Sequence, residues 1–182
     1  MEITELLKNS GALEQLSGQF GLDNGQVEEI VKGALPEITN SINENTSTEE
    51  GLKSFWDALN DHKDAPVEEM LTNLDKVDTE DGEKILGHIL GDKQEALTES
   101  LSAKQGLSAA SVGGVLKYLA PVLMAAIGKQ AMKPAEKKGD NNDLLESMLG
   151  KDSSVTKMAK SFLDKNKDGN ILDDLFGNFF KK

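Results

Sequence analysis

The sequence predicts an all-α protein: a multi-helical bundle with an internal duplication, followed by a small C-terminal helix–loop–helix. Apolar residues recur every three to four positions along most of the chain, which is the period of an α-helix. No stretch alternates apolar and polar residues over the four to eight positions that a half-buried strand requires. Glycines, capping residues and prolines interrupt the apolar stripes and divide the chain into helices.

Local signals set the bounds of the first helices. The first apolar stripe is interrupted at Gly11, and Gly21 is expected to end the next helix in the left-handed conformation. Asp23 and Gln26 stand three residues apart, as in a capping box, and predict the start of a longer helix. The apolar face of that helix comprises Val27, Ile30, Val31 and Leu35.

The middle of the chain carries further start and stop signals. Ser47 and Glu50 form a second capping-box pattern, followed by apolar residues at helical spacing. Pro66 suits the first turn of the next helix, and a later helix is expected to end near Gly91. Ser108 is predicted to cap the long apolar helix that follows it.

Two segments, 16–42 and 101–127, align without a gap and are identical at eight of 27 positions. Each has a Gly-Leu pair that can end one helix, followed by a residue that can cap the next. The prolines at equivalent positions, Pro36 and Pro121, are expected to kink or break both helices. Unrelated amphipathic helices also resemble one another, but the shared register of glycine, leucine and proline favours a true duplication.

The charge distribution suggests two modules. Residues 1–132 contain 10 Lys and 23 Asp+Glu, a net charge of −13, whereas residues 133–182 contain 10 Lys and nine Asp+Glu, a net of +1. Residues 133–143 are polar and contain proline and glycine, which indicates a linker. We therefore divide the chain into a helical bundle at 1–132, a linker at 133–143 and a helix–loop–helix at 144–182.

Composition argues against several functional classes. The net charge of the acidic chain is −12 and all 20 basic residues are lysines, so binding to nucleic acid is not expected. Cysteine is absent, which removes disulfides and thiolate metal sites. The acidic N-terminus has no apolar segment typical of a signal peptide. The most apolar run, 115–127, is shorter than the roughly 20 residues that span a membrane, so we expect a cytoplasmic protein without a membrane span.

Three segments in a fixed order resemble one known family. They are the Gly-Leu…Val…Pro pattern of the repeat, the segment 81–91 (DGEKILGHILG) and the segment 162–174 (FLDKNKDGNILDD). Together they resemble the YidB-like bacterial family, catalogued as domain of unknown function 937. The resemblance spans nearly the whole chain and implies a multi-helical fold and a bacterial source. It implies no activity, because the family has no established one.

The C-terminal loop has the ligand spacing of an EF-hand-type Ca²⁺ site. Oxygen-bearing side chains fall at loop positions 1, 3 and 5, which are Asp164, Asn166 and Asp168. Gly169 supplies the sharp turn at position 6, and Asn170 at position 7 would donate its backbone carbonyl. This spacing can wrap hard oxygen ligands around one Ca²⁺ ion.

Position 12 of the loop departs from the EF-hand pattern. The usual bidentate Glu is replaced by Leu175, while Asp173 and Asp174 stand at positions 10 and 11. Either one of these carboxylates reaches the ion, or the site stays incomplete and binds Ca²⁺ weakly; the alternative is an Asx-rich turn that binds no metal. The full set of predicted metal ligands is Asp164, Asn166, Asp168, Asn170, Asp173 and Asp174.

Residues 171–180, after this loop, are strongly apolar and Phe-rich and are predicted to form a helix. The simpler interpretation is that it packs on the preceding helix, at 155–163, and closes the helix–loop–helix. The alternative is a surface for a protein partner. The sequence leaves the oligomeric state open.

No active site is recognisable in the sequence. His62 lies in a polar run and is expected at the surface, and His88 is expected at a helix edge; neither has the spacing of a zinc site. Gly113 and Gly114 lie within a helical pattern, which indicates a close helix crossing and not a phosphate loop. The sequence therefore predicts a non-catalytic structural or interaction protein with a Ca²⁺ loop. The alternatives are a calcium-independent helical scaffold and, less favoured, an enzyme of unknown type.

Overall fold

The computed structural model describes residues 3–131, which fold into eight α-helices and one short 3₁₀-helix without any strand. The predicted all-α class is therefore confirmed for this part of the chain. The linker and the helix–loop–helix predicted at 133–182 lie outside the described residues. In chain order the helices are α1 (Ile3–Ser10), α2 (Ala12–Phe20), α3 (Asn24–Asn45), α4 (Glu49–His62), α5 (Val67–Thr72), the 3₁₀-helix (Leu74–Lys76), α6 (Thr79–Leu90), α7 (Lys93–Gln105) and α8 (Ala109–Ala131).

Helix α8 is the centre of the bundle and packs against each of α2 to α7. Val112, Val115 and Leu116 on this helix are completely buried. The segment Ala109–Gly128 is long and apolar enough to cross a membrane. The apolar segment is therefore longer than the run 115–127 identified from the sequence. Most of it (61%) is buried inside the bundle, and the neighbouring helices therefore account for its apolar character.

The turns α2–α3 and α7–α8 have the same backbone geometry. Gly21 (φ 65°, ψ 37°) and Gly106 (φ 65°, ψ 33°) are both left-handed, and each N–H donates to the serine carbonyl four residues earlier. The leucine after each glycine donates to the same carbonyl at 2.9 Å. The predicted glycine stops are therefore confirmed, since only glycine adopts this conformation without strain.

The N-caps of α3 and α8 also agree with prediction. Asp23 and Gln26 form a complete capping box: the Asp23 carboxylate accepts from the Gln26 N–H at 2.8 Å, and the Gln26 side chain accepts from the Asp23 N–H at 2.9 Å. Ser108 Oγ accepts from the Ser111 N–H at 3.0 Å. These side chains satisfy backbone donors that a helix start leaves unpaired.

The cap of α4 is shifted by one residue from the prediction. Thr48, and not Ser47, caps this helix, and its hydroxyl accepts from the Gly51 N–H at 3.1 Å. The reason is that α3 continues as far as Asn45, so Ser47 is needed in the connecting turn. A Cβ at Gly51 would lie 1.8 Å from the Asn45 carbonyl oxygen, so the first turn of α4 lies directly against the end of α3.

Both prolines of the repeat lie inside continuous helices, so neither breaks its helix, and the kink that was the other expectation stays a prediction. A proline removes one backbone donor, but the hydrogen bonds of the surrounding turns can hold the helix together. The two environments differ, because Pro36 is exposed and Pro121 is buried. At Pro121 the helix therefore lacks a backbone hydrogen bond inside the bundle, where α8 contacts α6.

Candidate functional site

Helices α4 and α6 approach α8 at two glycines, and this three-helix contact is the best-defined candidate site in residues 3–131. At the first crossing, a Cβ on Gly82 of α6 would lie 2.0 Å from the Lys117 carbonyl oxygen and 3.2 Å from Pro121 Cδ. Lys117 is four residues before Pro121, so its carbonyl lacks the usual helical N–H partner. Gly82 thus packs its backbone on the carbonyl that the proline leaves without a helical partner.

The second crossing brings the last turn of α4 onto α8. A Cβ on Gly128 would lie 2.6 Å from the Leu59 carbonyl oxygen and 3.2 Å from Lys63 Cα. The neighbouring atoms are again backbone, which cannot move away as a flexible side chain can. Both α4 and α6 are therefore held on α8 by direct contact between main chains.

His62 joins the two helices next to these crossings. One ring nitrogen, Nδ1, lies 2.7 Å from the Ala58 carbonyl oxygen, and the other, Nε2, lies 2.8 Å from Asp81 Oδ2. The imidazole is 19% exposed and the Asp81 side chain is 35% exposed. The prediction of a surface histidine is therefore wrong, because its partner lies 19 residues further along the chain and the local polar run gives no sign of it.

The surroundings of His62 favour its charged form. Burial of the ring lowers the pKa of His62, but the hydrogen bonds to Asp81 and Ala58 and the negative charges of Asp81 and Asp61 raise it by more. The pKa therefore lies above the ordinary value of 6.5. Both ring nitrogens face oxygen acceptors, and only an imidazolium has an N–H to donate to each.

A histidine paired with an aspartate is also the arrangement of a catalytic base and its orienting carboxylate. In such a dyad one ring nitrogen must be directed at a nucleophile or substrate. Here the second nitrogen is directed at the Ala58 carbonyl of the same helix. The arrangement therefore links helices and leaves no ring nitrogen for proton transfer in this conformation.

The predicted metal ligands at 164–174 lie outside the described residues, so their arrangement stays a prediction. Between residues 3 and 131, no group of three or more His, Asp or Glu side chains could hold a metal ion. His88 is exposed near the end of α6.

Two amides that sequence reasoning did not single out cap distant helix ends. Gln15 donates to the Thr72 carbonyl at 2.9 Å, at the end of α5, and accepts from the Leu74 N–H at 3.4 Å. Asn45 donates to the carbonyls of His88 and Ile89 at 3.0 and 2.8 Å, at the end of α6. Their partners are more than 40 residues away in sequence, so no local pattern could have indicated these roles.

Gly114, the second glycine of the pair in α8, forms the close helix crossing that the sequence predicted. A Cβ on Gly114 would lie 2.2 Å from the Phe20 ring of α2. The rings of Phe20 and Tyr118 meet edge to face with centroids 5.8 Å apart, and Gln19 donates to the Tyr118 hydroxyl at 2.8 Å. Gly114 is thus explained by packing, as expected, whereas a Cβ at Gly113 would meet only Thr98, at 3.9 Å.

Comparison with known proteins assigns the chain to a family. The model of a family described as bacterial protein of unknown function (DUF937) matches residues 5–130. The chain is a member of the DUF937 family. The match spans the bundle, including the three-helix contact, and the segment 162–174 lies outside it. No curated protein and no solved structure matches the chain.

Proposed function

We propose that this DUF937 protein is a non-catalytic structural or interaction protein of the bacterial cytoplasm, whose helical bundle carries a C-terminal loop that binds Ca²⁺ weakly. The observation that carries the calcium proposal is the spacing of oxygen ligands at Asp164, Asn166, Asp168 and Asn170 around the turn at Gly169. Asp173 or Asp174 would supply the ligand that Leu175 at position 12 does not. The loop occurs once, which suits a structural clip better than a paired calcium sensor.

The non-catalytic part of the proposal is supported by how the bundle uses its polar groups. His62 directs both ring nitrogens at internal acceptors, and Gln15 and Asn45 cap helix ends. These groups thus serve to fix the helices relative to one another, which is what a rigid scaffold needs.

We further propose that the bundle arose by duplication of a helix–turn–helix unit, α2–α3 and α7–α8. The identical residues at equivalent positions support this, as do the matching backbone angles of Gly21 and Gly106. The Phe-rich segment 171–180 is the proposed surface for a protein partner.

Calorimetric titration of the full chain with Ca²⁺ tests the metal site. We expect binding heat from the native protein and none from the Asp164→Ala/Asp168→Ala variant, because two ligand positions are removed together. The matched control is Asp140→Ala/Asp143→Ala, which makes the same charge change in the predicted linker and should bind as the native protein does. Absence of heat at millimolar Ca²⁺ would overturn the calcium proposal.

The second candidate is a helical scaffold that does not depend on calcium, and Leu175 at position 12 favours it. Affinity capture from the native bacterial cell, with and without a chelator, distinguishes the two. A partner that is retained only with Ca²⁺ supports a loop that orders the Phe-rich segment. The same partner recovered equally in chelator supports the calcium-independent scaffold.

A further inference from the structure

A neutral histidine cannot donate both of the hydrogen bonds that His62 makes where α4 meets α6. Nδ1 and Nε2 of His62 lie 2.7 and 2.8 Å from oxygen atoms that accept but cannot donate, a backbone carbonyl and a carboxylate. An imidazolium donates to both. A neutral imidazole carries one N–H, so either tautomer would set a nitrogen lone pair against the oxygen of Ala58 or of Asp81.

The two helices share little other packing. Each packs mainly on α8, at Gly128 for α4 and at Gly82 for α6, and not on the other. The apolar core therefore contributes little to the contact between α4 and α6. A change in the His62–Asp81 contact can alter how the end of α4 meets the start of α6 without disturbing α8.

The charges on the surrounding elements favour the cation. Asp61 adds a negative charge from α4, and the Asp78 carboxylate lies at the start of α6, where it accepts from the Asp81 N–H at 3.0 Å. Asp64 adds another carboxylate in the turn after α4. Two lysines of these elements have partners of their own: Lys63 donates to Asn60, and Lys117 pairs with Glu83 at 3.1 Å.

We propose that His62 and Asp81 form a protonation-dependent latch between the end of α4 and the start of α6. The latch is closed while the imidazole carries both protons, and it weakens when one is lost. The device lies within the part of the chain matched by the family model and is independent of the proposed calcium loop.

NMR of the full chain tests the latch directly, because the ring ¹⁵N shifts distinguish an imidazolium from either neutral tautomer. The chain has two histidines, and a His88→Gln variant assigns their signals. We expect the His62 ring to be doubly protonated below pH 6.5 and to lose a proton at a midpoint above 6.5. Backbone amides at the end of α4 and the start of α6 should change at the same midpoint, whereas those of the α2–α3 turn should not.

Two variants separate the latch from a general charge effect. Asp81→Asn keeps the size of the side chain but removes its charge, so the His62 midpoint should fall and the coupled change in α6 should disappear. Asp57→Asn removes an exposed charge from α4 and should leave the midpoint close to that of the native protein. An unchanged midpoint in Asp81→Asn would overturn the proposal.

The intact protein provides a measurement that does not depend on the folding of a variant. After correction for the intrinsic pH dependence of exchange, amide protection at the end of α4 and the start of α6 should decrease as pH rises through the His62 midpoint. A midpoint at or below 6.5, or protection that is the same on both sides of it, would show that His62 is a structural residue and not a latch.

Discussion

Gly82 is the position where a single methyl group should disturb the bundle most clearly. In Gly82→Ala the new Cβ would lie 2.0 Å from the Lys117 carbonyl oxygen and 2.9 Å from its carbonyl carbon. Ordinary contact begins at 3.4 Å, so α6 would have to move by about 1.4 Å relative to α8. Overpacking typically costs about 1–3 kcal/mol, while alanine gains about 1 kcal/mol over glycine within a helix. Because the clash is with backbone, we expect a net loss of about 2 kcal/mol.

Gly87→Ala on the same helix is the matched control for this experiment. Nothing lies within 4 Å of the Cβ position at Gly87, so only the helix-propensity gain of up to about 1 kcal/mol applies. Urea denaturation followed by circular dichroism measures the free energy of unfolding of both variants. The two should differ by about 3 kcal/mol, and a Gly82→Ala protein at least as stable as the native one would refute the packing of α6 on the Lys117 carbonyl.

Three further predictions concern other contacts of the bundle. Gly114→Ala should be less stable than Gly113→Ala by about 1–3 kcal/mol in urea denaturation, because its Cβ would meet the Phe20 ring at 2.2 Å, whereas the nearest atom to a Cβ at Gly113 lies 3.9 Å away and both variants gain the same helix propensity. Asp23→Ala should cost about 1 kcal/mol by the same assay, since it removes the capping box of α3; an unchanged midpoint would contradict this role. The stability that His62 contributes should be fully present below pH 6.5 and lost as pH rises through its raised pKa, so His62→Gln should flatten this part of a stability profile against pH.

Features set by neighbouring residues could be predicted from the sequence. The capping box of Asp23 and the left-handed glycines Gly21 and Gly106 depend on hydrogen bonds that close within five residues. Their chemistry is therefore visible in a short window of sequence. The cap of α4 was misplaced by one residue because the end of the preceding helix, and not the local pattern, decides which residue is the cap.

Features set by distant residues could not be predicted in this way. His62 and Asp81 are 19 residues apart, and Gln15 meets its partners 57 and 59 residues further along the chain. A polar residue gives the same local signal whether it faces water or caps a distant helix, so tertiary packing decides its role. The predicted calcium ligands at 164–174 depend on ligand spacing alone.

Three glycines of this bundle, Gly51, Gly82 and Gly128, face carbonyl oxygens of the main chain. A buried leucine can be exchanged for another aliphatic residue because the neighbouring side chains can change rotamer. A peptide group of the main chain cannot adjust in this way to a new side chain at the glycine. Saturation mutagenesis should therefore find these small residues less replaceable than the large apolar ones beside them. The positions where this protein has no side chain are the ones that most strictly limit how its sequence can vary.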